Sequence, residues 1–255
     1  MNITLFTSNQ LRHLYLINLL SKISKKLYVI QEEKSLINIK KNIIFNEYFN
    51  EVGRAQNKFF GKVNSINFKN TIIKKMPKGE LNKAPLETFN EYLKSDYYIV
   101  YGSSFIKNEL ADFLIDKKAI NIHMGVSPYY KGSGCNFWAI FDNNPNLVGS
   151  TIHLLSKKLD SGPIIYHALS NIKTNPFDYT MSSVKAAFIS LIMKLKDNKL
   201  FDSSILEQDN TKLIRYSRGS DFNEKIVSKF YNLKIDLNSK NTNYNQFHNP
   251  FIYKG

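Results

Sequence analysis

The sequence predicts an α/β protein: an open, mostly parallel, twisted sheet with helices on both faces, plus a short C-terminal extension. Three observations carry that expectation. Short, nearly continuous apolar runs such as DYYIVYG (96–102) and AINIH (119–123) read as strands buried on both faces. These runs alternate with segments of helical spacing, the pattern of strand–helix–strand units. Finally, a chain of 255 residues that is 43% hydrophobic and 13% aromatic can build one large core with a modest extension.

The elements follow in order. NITLF (2–6) is apolar and β-prone, TSNQ (7–10) is a turn or N-cap, and LRHLYLINLLSKI (11–23) has helical spacing. KLYVIQ (26–31) is a second strand, followed by polar, Lys-rich sequence. Residues 45–61 form a helix with Phe and Tyr on one face, and a basic loop then leads to a helix over PLETFNEYLKS (85–95). DYYIVYG is a buried strand, FIKNELADFLID (105–116) a helix and AINIH a strand, with MGVSPYYKG (124–132) as the loop beyond. GCNFWAIFDN (134–143) reads as a helix in which Trp138 packs into the core. GSTIHLLS (149–156) and PIIYHALSNI (163–172) are later strands, and residues 176–198 a long amphipathic helix. Beyond about residue 200 the chain turns polar and Asn-rich, which divides it into a main domain, 1–200, and an extension, 201–255. Within the extension KLIRYSRG (212–219) suggests a strand and DFNEKIVSKFYNL (221–233) a short helix; the last residues show no period.

Composition narrows the function classes. The net charge of +14 invites a nucleic-acid reading, but the lysines are dispersed in pairs at 25–26, 40–41, 74–75, 117–118 and 157–158 and read as solvated surface. Such a surface still attracts phosphorylated small molecules. A single cysteine, Cys135, excludes an intrachain disulfide or a multi-Cys metal site, and it reads as a packed residue. No stretch reaches the roughly 18 apolar residues of a membrane span, and Arg12 and His13 interrupt the first apolar run. The expectation is a cytoplasmic protein with no metal and no nucleic-acid partner; a homodimer is compatible with it.

Asn121 and His123 lie two residues apart on a strand, so they face the same way, roughly 7 Å apart along it. A strand and turn, GSTIHLLSKKLDSG, can return Asp160 to the imidazole. An amide, an imidazole and a carboxylate at one spot suit transfer of an acyl or formyl group to an amine. AINIH ends at a carboxyl edge, where open parallel sheets bind ligands. Two further loops share that edge. TSNQ can cap its helix or hold an anion on backbone N–H groups, and Gly102 in VYGSSF lets a flat ligand approach the backbone. His153 and His167 alternate with apolar residues and read as packed strand positions. The four arginines, Arg12, Arg54, Arg215 and Arg218, stand out where Lys is so favoured; Arg12 is the preferred phosphate ligand and chance retention the competing reading.

The ordered set Asn121, His123, Pro128, Lys131-Gly132, Gly149-Ser150-Thr151 and Asp160-Ser161-Gly162 resembles the folate-dependent formyltransferases. That family includes phosphoribosylglycinamide formyltransferase, methionyl-tRNA formyltransferase and the sugar N-formyltransferases. The likeness covers about 45 residues, and the flanking strand–helix pattern agrees back to residue 1. Departures are Gly125-Val126-Ser127 for the Ser-Leu-Leu common in the transfer-RNA enzymes, Lys131 where Arg is frequent, and a longer FDNNPNL loop (141–147). None removes Asn121, His123 or Asp160.

The resemblance implies a Rossmann-like formyltransferase fold and 10-formyltetrahydrofolate as formyl donor. Its pterin would lie near Tyr101, Gly102, Ser103, Ser104, Phe105 and Ile106 and the loop at Leu159. Asn121 and His123 would stabilise an oxyanion, with Asp160 orienting His123 and assisting proton removal. Ser8, Asn9, Gln10, Arg12, Lys131 and Gly132 would face the acceptor. The tail is too short for the C-terminal barrel of the transfer-RNA enzymes, and TSNQLRH lacks the Gly-rich first loop of the glycinamide ribotide enzyme. The implied acceptor is therefore a nucleotide-linked amino deoxysugar used in a surface polysaccharide, with glycinamide ribotide or formyltetrahydrofolate hydrolysis as alternatives.

Overall fold

The computed structural model describes residues 1–33, 43–61, 69–237 and 244–255; the Lys40–Lys41 pair lies outside them. Strand β1 (Asn2–Ser8), helix α1 (Leu11–Ser21) and strand β2 (Lys26–Glu33) open the chain, followed by α2 (Ile43–Phe60) and β3 (Thr71–Pro77). Next come β4 (Tyr97–Tyr101), α3 (Asn108–Asp116), β5 (Ile120–His123), β6 (Tyr130–Gly132) and α4 (Cys135–Phe141). Strands β7 (Ser150–Leu154) and β8 (Ile164–Ser170) precede α5 (Pro176–Lys196), β9 (Arg215–Ser217), α6 (Glu224–Asn232) and β10 (Phe251–Tyr253).

Eight strands form one open sheet in the order β10-β8-β7-β5-β4-β1-β2-β3, and β6 pairs with β9 in a small second sheet. From β3 to β5 all neighbours are parallel, whereas β7 is antiparallel to both β5 and β8. The expected open, mostly parallel sheet is therefore the fold. Successive β1 side chains enter opposite cores, as a strand covered on both faces requires. Ile3 and Leu5 pack with Leu16, Ile17 and Phe188 on one side; Phe6 packs with Phe89, Leu110 and Leu114 on the other. Helix α5 begins at Pro176, and Asn175 Oδ1 accepts from the Phe177 and Asp178 amides at 3.0 Å each, a capped and proline-led start.

Three local expectations change. The basic loop after α2 contains an edge strand, β3, paired in parallel with β2. Its two lysines and terminal proline hide it from an apolar count, yet they suit an unpaired sheet edge. Residues 85–95 hold one 3-10 turn, Leu86–Phe89, in place of a helix. There the carbonyls of Tyr92 and Leu93 accept the hydroxyls of Thr4 and Tyr98, which draws the segment onto the sheet. The aperiodic end supplies β10, three residues aligned with β8.

Chain beyond residue 200 is tied into the sheet through His167 on β8. Its Nε2 donates to Ser127 O at 2.8 Å, and its Nδ1 accepts from the His248 amide at 2.9 Å. Burial lowers the pKa of His167, and of His153 on β7, to about 4. Both rings are thus neutral in the fold, whereas in the unfolded chain they titrate near 6.5. Between those values only the unfolded chain binds protons, so this stability is complete above about pH 6.5 and is lost as pH falls toward 4. The denaturant midpoint is expected to drop across that window, with roughly 2–3 kcal/mol from each ring. A midpoint that stays level through the window would contradict two buried neutral imidazoles.

Candidate active site

Strand β5 delivers Asn121 and His123 to the carboxyl edge of the sheet. Antiparallel β7 sets Thr151 opposite His123 and His153 opposite Asn121. Thr151 Oγ1 accepts from the Ser127 amide at 2.8 Å and donates to Gly125 O at 2.6 Å, which pins the turn leaving β5. After β7 the chain reverses, and Asp160 adopts a left-handed backbone with φ of 49°. That turn aims its carboxylate back at the strand. Oδ2 accepts from the Gly132 amide at 2.9 Å, while Oδ1 lies 3.3 Å from His123 Nδ1 and 3.4 Å from Asn121 Nδ2. His123 and Asp160 are only 6% and 8% exposed.

Hydrogen-bond chemistry assigns the protons. His123 Nε2 is 3.0 Å from Tyr130 O, which only accepts, so Nε2 carries hydrogen. Its Nδ1 faces Asp160 Oδ1 at 3.3 Å, which holds ring and carboxylate side by side. His153 Nδ1 donates to Leu154 O at 2.7 Å, which leaves Nε2 as an acceptor for Asn121 Nδ2 at 2.9 Å. His153 therefore orients the Asn121 amide. Alternation with apolar neighbours identified it as a packed strand residue, and it is one, but only the cross-strand register reveals the amide it holds.

These groups line a cleft of about 450 Å³, within the usual range for ligand pockets. The cleft brings together Asn121, His123 and Asp160 with Tyr101, Gly102, Ser103, Ser104, Phe105, Ile106, Leu159, Gly132 and Arg12. Gly102 has a left-handed φ of 70°, but a Cβ there would stand 2.6 Å from His13 Nε2. The space that glycine opens is therefore filled by the protein's own His13. Gly132 is also left-handed, and a Cβ would meet Ser217 O at 2.0 Å, so the β6–β9 pairing needs glycine. Among the other expected residues, Gln10 lines a neighbouring cavity, Ser8 is buried beside Glu32, and Asn9 is exposed. Lys131 is buried away from the cleft; its Nζ donates to Ser161 Oγ at 3.0 Å and Asn210 Oδ1 at 2.7 Å, bracing the Asp160 turn. Gln208 Nε2 braces the same turn by donating to Asp160 O at 3.0 Å and Gly162 O at 2.7 Å.

Cys135 is buried, and desolvation pushes its thiol well above the usual range, as suits a packed residue. Trp138 is buried in the core, with the Arg215 guanidinium 4.4 Å from its ring centre. Among the described residues no group of three or more His, Cys, Asp or Glu side chains is placed to hold a metal ion, and no helix is long and apolar enough to cross a membrane.

One residue beneath the cleft carried no sequence signal. Glu32, at the end of β2 and 2% exposed, accepts from the Ser104 amide at 2.5 Å and the Gly79 amide at 2.8 Å. Its carboxylate fixes the loop that forms the far wall. Glu32→Ala is expected to speed hydrogen exchange at the Ser104 amide by about tenfold or more, the scale of a lost charge-assisted bond. Unchanged protection in hydrogen-exchange mass spectrometry would show the loop to be held by something else.

No family model matches the chain. Against curated proteins, it is 41% identical over 76 residues to mitochondrial formyltetrahydrofolate deformylase 1 of Arabidopsis thaliana. That match covers 30% of this chain and 21% of the relative, so it spans about a fifth of the relative's length. Among solved structures, a sugar N-formyltransferase from a Shewanella species superposes with TM-score 0.53 at 16% identity, covering 87% of this chain and 78% of the other. An N-formyltransferase from Helicobacter canadensis, solved with folinic acid and dTDP-3-aminofucose, gives TM-score 0.50 at 17% identity over 87% and 72%. The chain therefore shares the fold of these solved N-formyltransferases.

Proposed function

We propose that this protein is an N-formyltransferase that moves a formyl group from 10-formyltetrahydrofolate to the amine of a nucleotide-linked amino deoxysugar. The observation that carries this reading is the meeting of Asn121, His123 and Asp160 in one cleft, which the loop from Tyr101 to Ile106 also lines. The fold shared with sugar N-formyltransferases supports it, as does the Helicobacter canadensis protein's binding of folinic acid and an aminosugar nucleotide.

In the proposed reaction the acceptor amine attacks the formyl carbon. A C–N bond forms, the carbonyl oxygen becomes an oxyanion and the new nitrogen becomes positive. The second Asn121 Nδ2 hydrogen, which has only the 3.4 Å contact to Asp160, is available to that oxyanion. Both ring nitrogens of His123 face protein partners, Tyr130 O and Asp160 Oδ1, so the ring positions the Asp160 carboxylate beside the reacting carbon. Asp160 accepts the amine proton, directly or through one water. Collapse then breaks the bond to the folate nitrogen, which leaves with a proton as tetrahydrofolate. Asp160 keeps its carboxylate in place through the Gly132 amide and its left-handed turn.

The Arabidopsis thaliana similarity favours a second reading, hydrolysis, with water in place of the amine and formate as product. The two separate in one assay: 10-formyltetrahydrofolate is supplied with a panel of nucleotide-linked amino sugars or with glycinamide ribotide, and the products are read by mass. The proposal expects tetrahydrofolate release that depends on an amino sugar and yields its formamide. Formate release independent of any amine, or turnover with glycinamide ribotide alone, would replace it.

Asp160→Asn keeps a side chain that tolerates the left-handed backbone, and His123→Gln keeps polarity. Each is expected to lower kcat by about 10²–10⁴-fold, the scale of a lost acid–base or oxyanion group, with little change in the unfolding midpoint. Near-normal turnover by either variant would remove that group from the mechanism.

A further inference from the structure

The turn that carries Asp160 has little of its own to hold it. Ser161 N is 3.4 Å from Lys158 O, a long bond, and Asp160 itself is left-handed with φ of 49°. Nor does the carboxylate lock the turn. Its contacts to His123 and Asn121, at 3.3 and 3.4 Å, exceed the roughly 2.7–2.9 Å of a tight charge-assisted bond. The Gly132 amide, at 2.9 Å, is closer, but it ties one oxygen alone. Where the carboxylate stands therefore depends on what holds the backbone on either side of it. On one side that is β7: a Cβ at Gly162 would stand 1.8 Å from Leu154 O, so the turn lies directly against the strand.

The other side is held from beyond residue 200. Ile164 N donates to Leu206 O at 2.7 Å and Leu206 N to Ile164 O at 2.9 Å, a two-bond bridge that brings residue 208 alongside the turn. Gln208 Nε2 then donates to two of the turn's carbonyls, Asp160 O at 3.0 Å and Gly162 O at 2.7 Å. Both carbonyls only accept, so the amide cannot be turned over, and its Oε1 is buried without a partner. From 204 to 214 every residue is exposed except Gln208. Asn210 adds a second hold through the Lys131 ammonium, which it shares with Ser161. Farther on, Ile214 N and Arg215 N both donate to Tyr129 O, at 2.8 and 3.1 Å, so the segment is anchored at both ends. Gln208 does not line the cleft; it reaches the reaction centre through the backbone of Asp160.

We infer that Gln208 is a positioning residue for the reaction: by gripping the carbonyls on either side of Ser161 it sets where the Asp160 carboxylate stands, and it couples the segment beyond residue 200 to the chemical step. This assignment rests on the formyl-transfer reading above and adds to it a residue that touches no substrate. Misplacing a catalytic group by about 1 Å costs on the order of a hundredfold in rate, so loss of the grip is read in kcat. A residue that acts only through Asp160 has nothing left to contribute once that carboxylate is gone.

Tetrahydrofolate release from 10-formyltetrahydrofolate, followed with the amino-sugar panel and with water alone, tests the assignment on the full chain. Enzyme is kept in excess where variants are slow. Gln208→Met keeps the side-chain length and removes both donors; kcat should fall about ten- to a hundredfold, with KM for the folate changed by less than about twofold. In an Asp160→Asn background the same change should cost less than about twofold. Gln208→Glu supplies a donor only when protonated, so its rate relative to wild type should rise about threefold or more between about pH 7 and pH 5, while the ratio for Gln208→Met stays level. Glu207→Gln, at the exposed neighbour, should match wild type. Unfolding midpoints check that each variant is folded, and the pH ratio of Gln208→Glu carries the test if Gln208→Met is not. Gln208→Met within about twofold of wild type, an equal loss in both backgrounds, or a level ratio for Gln208→Glu overturns the inference alone. Wild-type chain that releases no tetrahydrofolate in any mixture overturns the formyl-transfer reading and the inference with it.

Discussion

The carboxylate of Asp160 is the point on which the candidate site turns. One oxygen is tied to the Gly132 amide and the other faces both His123 and Asn121. A buried carboxylate is costly unless its lone pairs are filled, and here the backbone of one loop and the side chains of one strand fill them. The tie runs both ways: it fixes the turn after β7, and it fixes the small β6–β9 sheet by way of Gly132. Gln208 and Lys131 then grip the same turn from outside the cleft. The site is thus assembled from segments far apart in sequence around one negative charge.

Antiparallel β7 is what makes this assembly possible. In a wholly parallel sheet the strand after β5 would return through a crossover and end at the same edge as β5. Reversed, β7 begins beside the end of β5, puts His153 against Asn121, and leaves its own turn free to bring Asp160 up again. His153 has a fixed tautomer because Leu154 O takes one proton. That assignment passes to the Asn121 amide and leaves its second hydrogen directed at Asp160 Oδ1, 3.4 Å away. The orientation of a single amide is therefore set by a backbone carbonyl two groups away.

Much of this was legible in the sequence, and the illegible parts have physical reasons. Runs such as DYYIVYG and AINIH announce strands because both their faces are covered, and Asn121 and His123 carry polarity where the pattern calls for none. Edge strands give no such signal. Strand β3 has one paired side and carries lysines, and β10 has three residues, too few for any period. The 85–95 segment has helical spacing, yet hydroxyls of Thr4 and Tyr98 capture its carbonyls. Tertiary partners also decided the arginines: composition marked all four, but only ion-pair geometry separates Arg54, paired with Glu51 and Asp178, and Arg215, paired with Asp142, from Arg12 and Arg218. Gly102 was read as space for a ligand, and the space belongs to His13, contributed by a helix 89 positions earlier. Glu32 and Gln208 gave no signal because long-range backbone contacts define them.

The central claim is that Asn121, His123 and Asp160 act as one reaction centre, and a double-mutant cycle tests it most directly. His123→Gln, Asp160→Asn and the combined variant are compared with wild type by kcat/KM for formyl transfer. If imidazole and carboxylate act as a unit, the double variant will be about as slow as the slower single one, because the first change already removes what the second would. Losses that multiply across the two positions would mean independent groups, and the account of a site organised around Asp160 would fail.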